Sequence, residues 1–142
     1  MKIFIETDLE GISGVAKIEQ VAERDEYTIS RLMCDTNAAV RGFFDGGADE
    51  VYVRDGHGGG NNFPEGALDP RAKQITYHDE FIDECDAVCV VGAHSMAGTE
   101  NAFLDHTQSS VAWHDYYING RRLGEMGQLG AFAGAHGKPF IM

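Results

Sequence analysis

The hydrophobic and polar positions of this chain alternate between short apolar runs and helical stretches. Ile3 and Ile5 alternate with Phe4 and Glu6, which reads as a strand. From Arg24 to Phe44, residues Ile29, Leu32, Met33, Ala39, Val40 and Phe43 recur at spacings of three and four, which predicts an amphipathic helix stopped by Gly46 and Gly47. Ala48 to Arg54 (ADEVYVR) then reads as a second strand. Strand, long helix and strand make a βαβ unit, so the two strands run parallel through a right-handed crossover and their C-terminal ends lie side by side. Further on, a short strand is expected near Gln74 to Tyr77 and a helical turn through Phe81 to Cys85. The continuous apolar run Ala87 to Gly92 (AVCVVG) predicts a central strand buried on both faces.

The last third of the chain predicts a strand from Val111 to Ile118, a type I′ turn at Asn119-Gly120 and a return through Arg121 to Leu123. A helix of small residues follows, Met126 to His136, and Lys138 to Met142 reads as the start of another buried strand. The expected fold is therefore α/β: three layers, a mostly parallel sheet flanked by helices, with a β-hairpin insertion near the C-terminal end. Residues 1–142 read as a single domain, and the apolar close suggests the front portion of a longer protein.

Composition narrows the function. A length of 142 residues, 43% of them hydrophobic, is enough for one packed core. No apolar run approaches membrane-spanning length and the N-terminus lacks a signal-peptide pattern, so the expected location is cytoplasmic. A formal charge of −12 argues against nucleic acid and anionic membranes as partners. It is explained by a solvated acidic surface, in part by bound cations. The three cysteines Cys34, Cys85 and Cys89 form no CxxC pair and read as reduced core thiols.

The chemistry collects where strands are expected to end. Asp8 and Glu10 follow the first strand at a spacing that points both carboxylates the same way, and Gly11 and Gly14 allow a sharp turn beyond them. Asp55 and His57 follow the second strand, and His94 follows the apolar run. Glu125 heads the small-residue helix. The glycine-rich loop Gly58 to Leu68 fails the dinucleotide test, because Asn61 stands where GxGxxG requires glycine. Carboxylates with imidazoles and no thiolates suit a catalytic zinc or a related divalent ion. Each member also has a plain reading: a loop carboxylate solvates the surface, a lone histidine is a packed or surface residue, and Glu125 favours the helix dipole.

Four strings add a resemblance: DLEGISG at Asp8 to Gly14, RDGH at Arg54 to His57 with Asn61-Asn62 after it, VGAH ending in His94, and YINGRRLGEMG around Glu125. In this order, over essentially the whole chain, they resemble the zinc D-aminopeptidases of the DppA type. The resemblance implies a two-zinc centre held by Asp8, Glu10, His57, His94 and Glu125, with Asp8 bridging the ions and His106 as the catalytic histidine. It also implies a ring-shaped homo-oligomer and hydrolysis of short peptides from a free amino terminus, with D-residues. Family members carry a C-terminal half that this chain ends before.

Around these residues, Arg54 and Asp55 are expected to orient His57, and Asp105 to hydrogen-bond His106 or favour its charged form. Asn61 and Asn62 read as contacts for a substrate backbone or as caps of their own turns. His78, His114 and His136 are set aside. Two rival functions stay open: a non-catalytic metal- or peptide-binding α/β module, and a two-metal phosphoester hydrolase, which would bring bases to the phosphate.

Overall fold

A computed structural model describes residues 1–76 and 81–142. Its frame is a five-stranded, all-parallel sheet of β1 (Lys2–Thr7), β2 (Glu50–Asp55), β3 (Lys73–Ile75), β4 (Ala87–Val91) and β7 (Phe140–Ile141), in the order β3-β2-β1-β4-β7. A two-stranded antiparallel hairpin, β5 (Tyr117–Ile118) and β6 (Arg121–Arg122), stands apart from it. Among the described residues the α-helices are α1 (Ile18–Glu23), α2 (Glu26–Asp45) and α3 (Glu125–Ala135), with a 3-10 turn at His57–Gly59. Among the described residues no helix is long and apolar enough to cross a membrane.

The layers follow from the side-chain alternation of the central strand. Ile3 and Ile5 point to one face of β1, where they pack with Val51, Val53, Cys89 and, from α2, Val40. Phe4 points to the other, against Tyr52, Val88 and Ala133 of α3. Both faces of β1 are thus covered and Ile3, Phe4 and Ile5 are buried, as expected for a parallel sheet between helices. The expected three-layer α/β fold is what forms. At the C-terminal edge, Leu9, Ile12 and Val15 pack against Leu32 of α2, which anchors the segment after β1.

The long helix begins at an N-cap: the Asp25 carboxylate accepts a hydrogen bond from the Thr28 amide at 2.7 Å. That bond holds the Asp25 carboxyl below its ordinary value. The bond stabilises the fold fully above the unfolded carboxylate value and is lost as pH falls through the lowered folded value. Asp25→Ala is therefore expected to lower the urea midpoint at neutral pH and to lose its effect in acid, which denaturation curves at pH 7 and pH 3 would check.

Several expectations change. The strand expected over Val111–Ile118 shrinks to Tyr117–Ile118. The Ser109 hydroxyl accepts from the amides of Val111 and Ala112 at 3.3 and 3.1 Å, so a side-chain turn competes with the ladder and Val111 is left 95% exposed. The hairpin turn itself forms, with Asn119 and Gly120 both at positive φ. Lys138–Met142 is not a buried strand: only Phe140–Ile141 pair, at the sheet edge, and Ile141 and Met142 are exposed. Cys34 is no core thiol, lying exposed on α2, whereas burial pushes the Cys85 and Cys89 thiols up to about 11. The short strand near Gln74 is Lys73–Ile75, and Tyr77 and His78 lie outside the described residues. Helix α1 had no counterpart in the sequence reading.

Candidate metal centre

The three strand tips are stitched together by backbone bonds. The Asp8 amide donates to the Val91 carbonyl at 2.8 Å, Gly11 N–H to the Gly92 carbonyl at 2.7 Å, and Gly56 N–H to the Thr7 carbonyl at 3.0 Å. This close approach requires glycine. A Cβ at Gly92, whose φ is +82°, would stand 2.2 Å from the Asp8 carbonyl oxygen, and one at Gly11 would stand 2.2 Å from that of Ala93. Asp8, Glu10, His57 and His94 are thereby gathered at the C-terminal edge of the sheet, where open α/β folds keep their ligands.

Helix α3 supplies the fifth residue. Glu125 lies in its first turn and accepts a hydrogen bond from the Gln108 amide at 2.5 Å, which ties the helix start to the loop after β4. The result is a continuous cluster. His57 Nδ1 lies 3.0 Å from Asp8 Oδ1 and 3.1 Å from Glu10 Oε2. His94 Nε2 lies 3.5 Å from Asp8 Oδ2 and 3.2 Å from Glu125 Oε1. Asp8 therefore turns one oxygen towards each histidine. All five residues that the sequence reading singled out as ligands meet, drawn from four separate segments.

His106 joins them. Its ring stacks on His94 with centroids 3.7 Å apart and planes 11° from parallel, and its Nε2 is 4.0 Å from Glu125 Oε1. Its Nδ1 donates to the Leu104 carbonyl at 2.8 Å, and His94 Nδ1 donates to the Ser95 carbonyl at 2.9 Å. A carbonyl can only accept, so in both rings Nδ1 carries a proton and Nε2 turns to the cluster, the orientation in which imidazoles bind metals. Ligand atoms of Asp8, Glu10 and His94 lie within 4.8 Å of one another, as do those of His94, His106 and Glu125.

Crowding shows in the protonation states. Burial alone would lower His57 and His94, but bonds to the neighbouring carboxylates outweigh it and hold both rings up to about 9. Burial pushes Asp8 up, aided by the Glu10 charge. Burial also opposes the charge on Glu10, yet His57 and Asp8 bring it down to about 2. Glu125 is lowered too, its burial outweighed by His94 and the Gln108 amide. Among the described residues Glu10 Oε2 is buried and makes no well-aligned hydrogen bond, although His57 Nδ1 stands 3.1 Å away and shares its proton with Asp8 Oδ1 at 3.0 Å.

The supporting residues differ from expectation. Arg54 does not touch His57; it pairs with Glu6 and donates to the Thr76 carbonyl at 3.1 Å. Asp55 reaches His57 only through Asn62, which donates from Nδ2 to Asp55 Oδ1 and to the His57 carbonyl, both at 2.8 Å. Asn62 is buried and caps the loop, and Arg24 donates to it at 3.0 Å. Asp105 accepts from the Gly98 amide at 2.6 Å and does not meet His106. His114 is exposed beside Asp115, and His136 pairs with Asp83, both away from the cluster. Sequence reasoning missed Gln108, and no local pattern could have marked it: its backbone, at φ +62°, serves a glutamate 17 positions on. The cluster opens into a cavity of about 1180 Å³ between the sheet and α3.

Similarity to known proteins covers the whole chain. The D-aminopeptidase of Bacillus subtilis (strain 168) is 29% identical over 152 residues, covering 100% of this chain and 55% of the relative. A solved structure, that of the Zn-dependent D-aminopeptidase DppA from Bacillus subtilis, described as a self-compartmentalizing protease, superposes with a TM-score of 0.88 at 27% identity. It covers 96% of this chain and 53% of its own. The chain thus spans about half the length of the relatives it matches. The pattern of the D-aminopeptidase family matches residues 1–142, and the chain belongs to that family.

Proposed function

We propose that the chain is a zinc-dependent aminopeptidase that hydrolyses short peptides or aminoacyl amides from a free N-terminus, selective for D-residues, with two zinc ions at the cluster. The observation that carries this reading is the buried, unbonded Glu10 Oε2 inside a set of three carboxylates and two imidazoles. A carboxylate oxygen without a well-aligned donor is costly unless a cation occupies its lone pairs, and the mixed oxygen and nitrogen set suits zinc. Asp8, Glu10 and His57 would hold one ion, and Asp8, His94 and Glu125 the other, with the two oxygens of Asp8 shared. Zinc bound there would polarise the scissile carbonyl and make water more acidic.

The chain's own residues supply the rest. Leu104 fixes His106 with Nδ1 protonated, so Nε2 is the atom that takes or returns a proton at the cleaved amide. Ser95 and Asn62 keep the His94 ring and the His57 loop in register, so little reorganisation is needed. A phosphoester substrate is less well served. Among the described residues Arg54 is the arginine that lines the cavity and it is paired with Glu6; Arg122 pairs with Asp115, and Arg121 is exposed on the hairpin. Self-association into a homo-oligomer is part of the same proposal, supported by the description of the solved relative.

The test is hydrolysis of D-alaninamide, L-alaninamide and p-nitrophenyl phosphate by the chain loaded with zinc. The expected result is turnover of the D-amide well above that of the other two. Preference for the phosphoester, or no amide turnover with zinc bound, overturns the reading.

A further inference from the structure

We propose that the side-chain carboxamide of Gln128 is the docking point for the second residue of a peptide substrate; this rests on the aminopeptidase reading. Gln128 lies three positions after Glu125 on α3, hence on the same helix face and one turn into the cavity, which both residues line. Its Oε1 accepts from Gln108 Nε2 at 3.1 Å, while its own Nε2 is buried and has no hydrogen-bond partner among the described residues. A carboxamide presents a donor and an acceptor side by side. One residue of an extended peptide offers the matching pair, because its own N–H and C=O point the same way, as in the residue pairs that exchange two bonds across an antiparallel ladder.

Gln108 now takes only half of that pair. It is exposed, and among the described residues the side-chain hydrogen bond it makes is this one. A peptide residue replacing it would donate to Gln128 Oε1 and accept from Nε2, making two bonds where there was one and satisfying the orphaned donor. The position suits the residue after the scissile bond, one helical turn from Glu125. An aminoacyl amide has no second carbonyl and gains only part of this. Gln128 is thus a positioning residue that favours peptides over simple amides.

The experiment compares D-alanylglycine with D-alaninamide in the zinc-loaded wild type, Gln128→Leu and Gln128→Glu, with metal content measured in each. For Gln128→Leu the expected result is an about tenfold higher KM for the dipeptide, with kcat little changed and a clearly smaller rise for the amide, which uses only the acceptor. Gln128→Glu, which keeps the acceptor and loses the donor, is expected to show the same selective loss. Equal effects on both substrates, or none on either, overturn the proposal. Calorimetric binding of the two compounds gives a second readout without turnover. If neither compound is hydrolysed, the aminopeptidase reading fails, while a selective loss of dipeptide binding in Gln128→Leu still supports the docking site and its absence still defeats it.

Discussion

Asp8→Ala is expected to lower metal content from about two zinc ions per chain to one or none, measured by inductively coupled plasma mass spectrometry on protein purified without chelator. Asp8 is the residue whose two oxygens face opposite ways, Oδ1 to His57 and Oδ2 to His94. Its loss removes a carboxylate oxygen from beside each histidine at once, whereas loss of Glu10 or Glu125 would alter one side of the cluster. The variant should stay folded. Asp8 lies beyond the end of β1, the core of Ile3, Phe4 and Ile5 is untouched, and a crowded carboxylate is removed from beside Glu10. Wild-type protein that holds no zinc, or a variant that holds as much as wild type, would remove Asp8 and the two-ion centre from the account.

His106→Ala is expected to lower kcat by about 10²- to 10⁴-fold, the range of a lost general acid or base, while zinc content holds. The division between those readouts matters because His106 touches the cluster in two ways, stacking on His94 and lying 4.0 Å from Glu125. If turnover falls and metal is retained, His106 handles the proton. If metal falls with it, His106 is a ligand, and if neither changes it is only a packing partner. His106→Asn, which can still donate to the Leu104 carbonyl but cannot titrate, should remain as slow as the alanine variant.

The five candidate ligands were legible in the chain because each follows or heads an element with a strong local signature. Period-two runs mark β1 and β2, an apolar run marks β4, and small-residue periodicity marks α3. A βαβ unit admits one handedness, so the tips carrying Asp8 and His57 had to adjoin. What surrounds the cluster was not legible in the same way. Arg54 stands three residues before His57 and looked like its support, yet a side chain on the strand itself points onto the sheet face, where the register sets it beside Glu6. Asp105 adjoins His106 in sequence and turns to Gly98. Adjacency in a loop does not set direction, because loop dihedrals answer to distant hydrogen bonds.

Local chemistry in the sequence was thus enough for the main strands, for α2 and α3 and for the parallel topology, and it placed five potential ligands at element ends, since these depend on periodicity and on the connection rules of βαβ units. Only the tertiary structure decided that His106 stacks on His94, that Gln108 at positive φ holds Glu125, and that Glu10 keeps a buried oxygen without a well-aligned donor. The expected strand from Val111 failed for the same reason these contacts could not be foreseen. Its backbone had a nearer partner in Ser109, and which partner wins is a competition between hydrogen bonds settled in three dimensions.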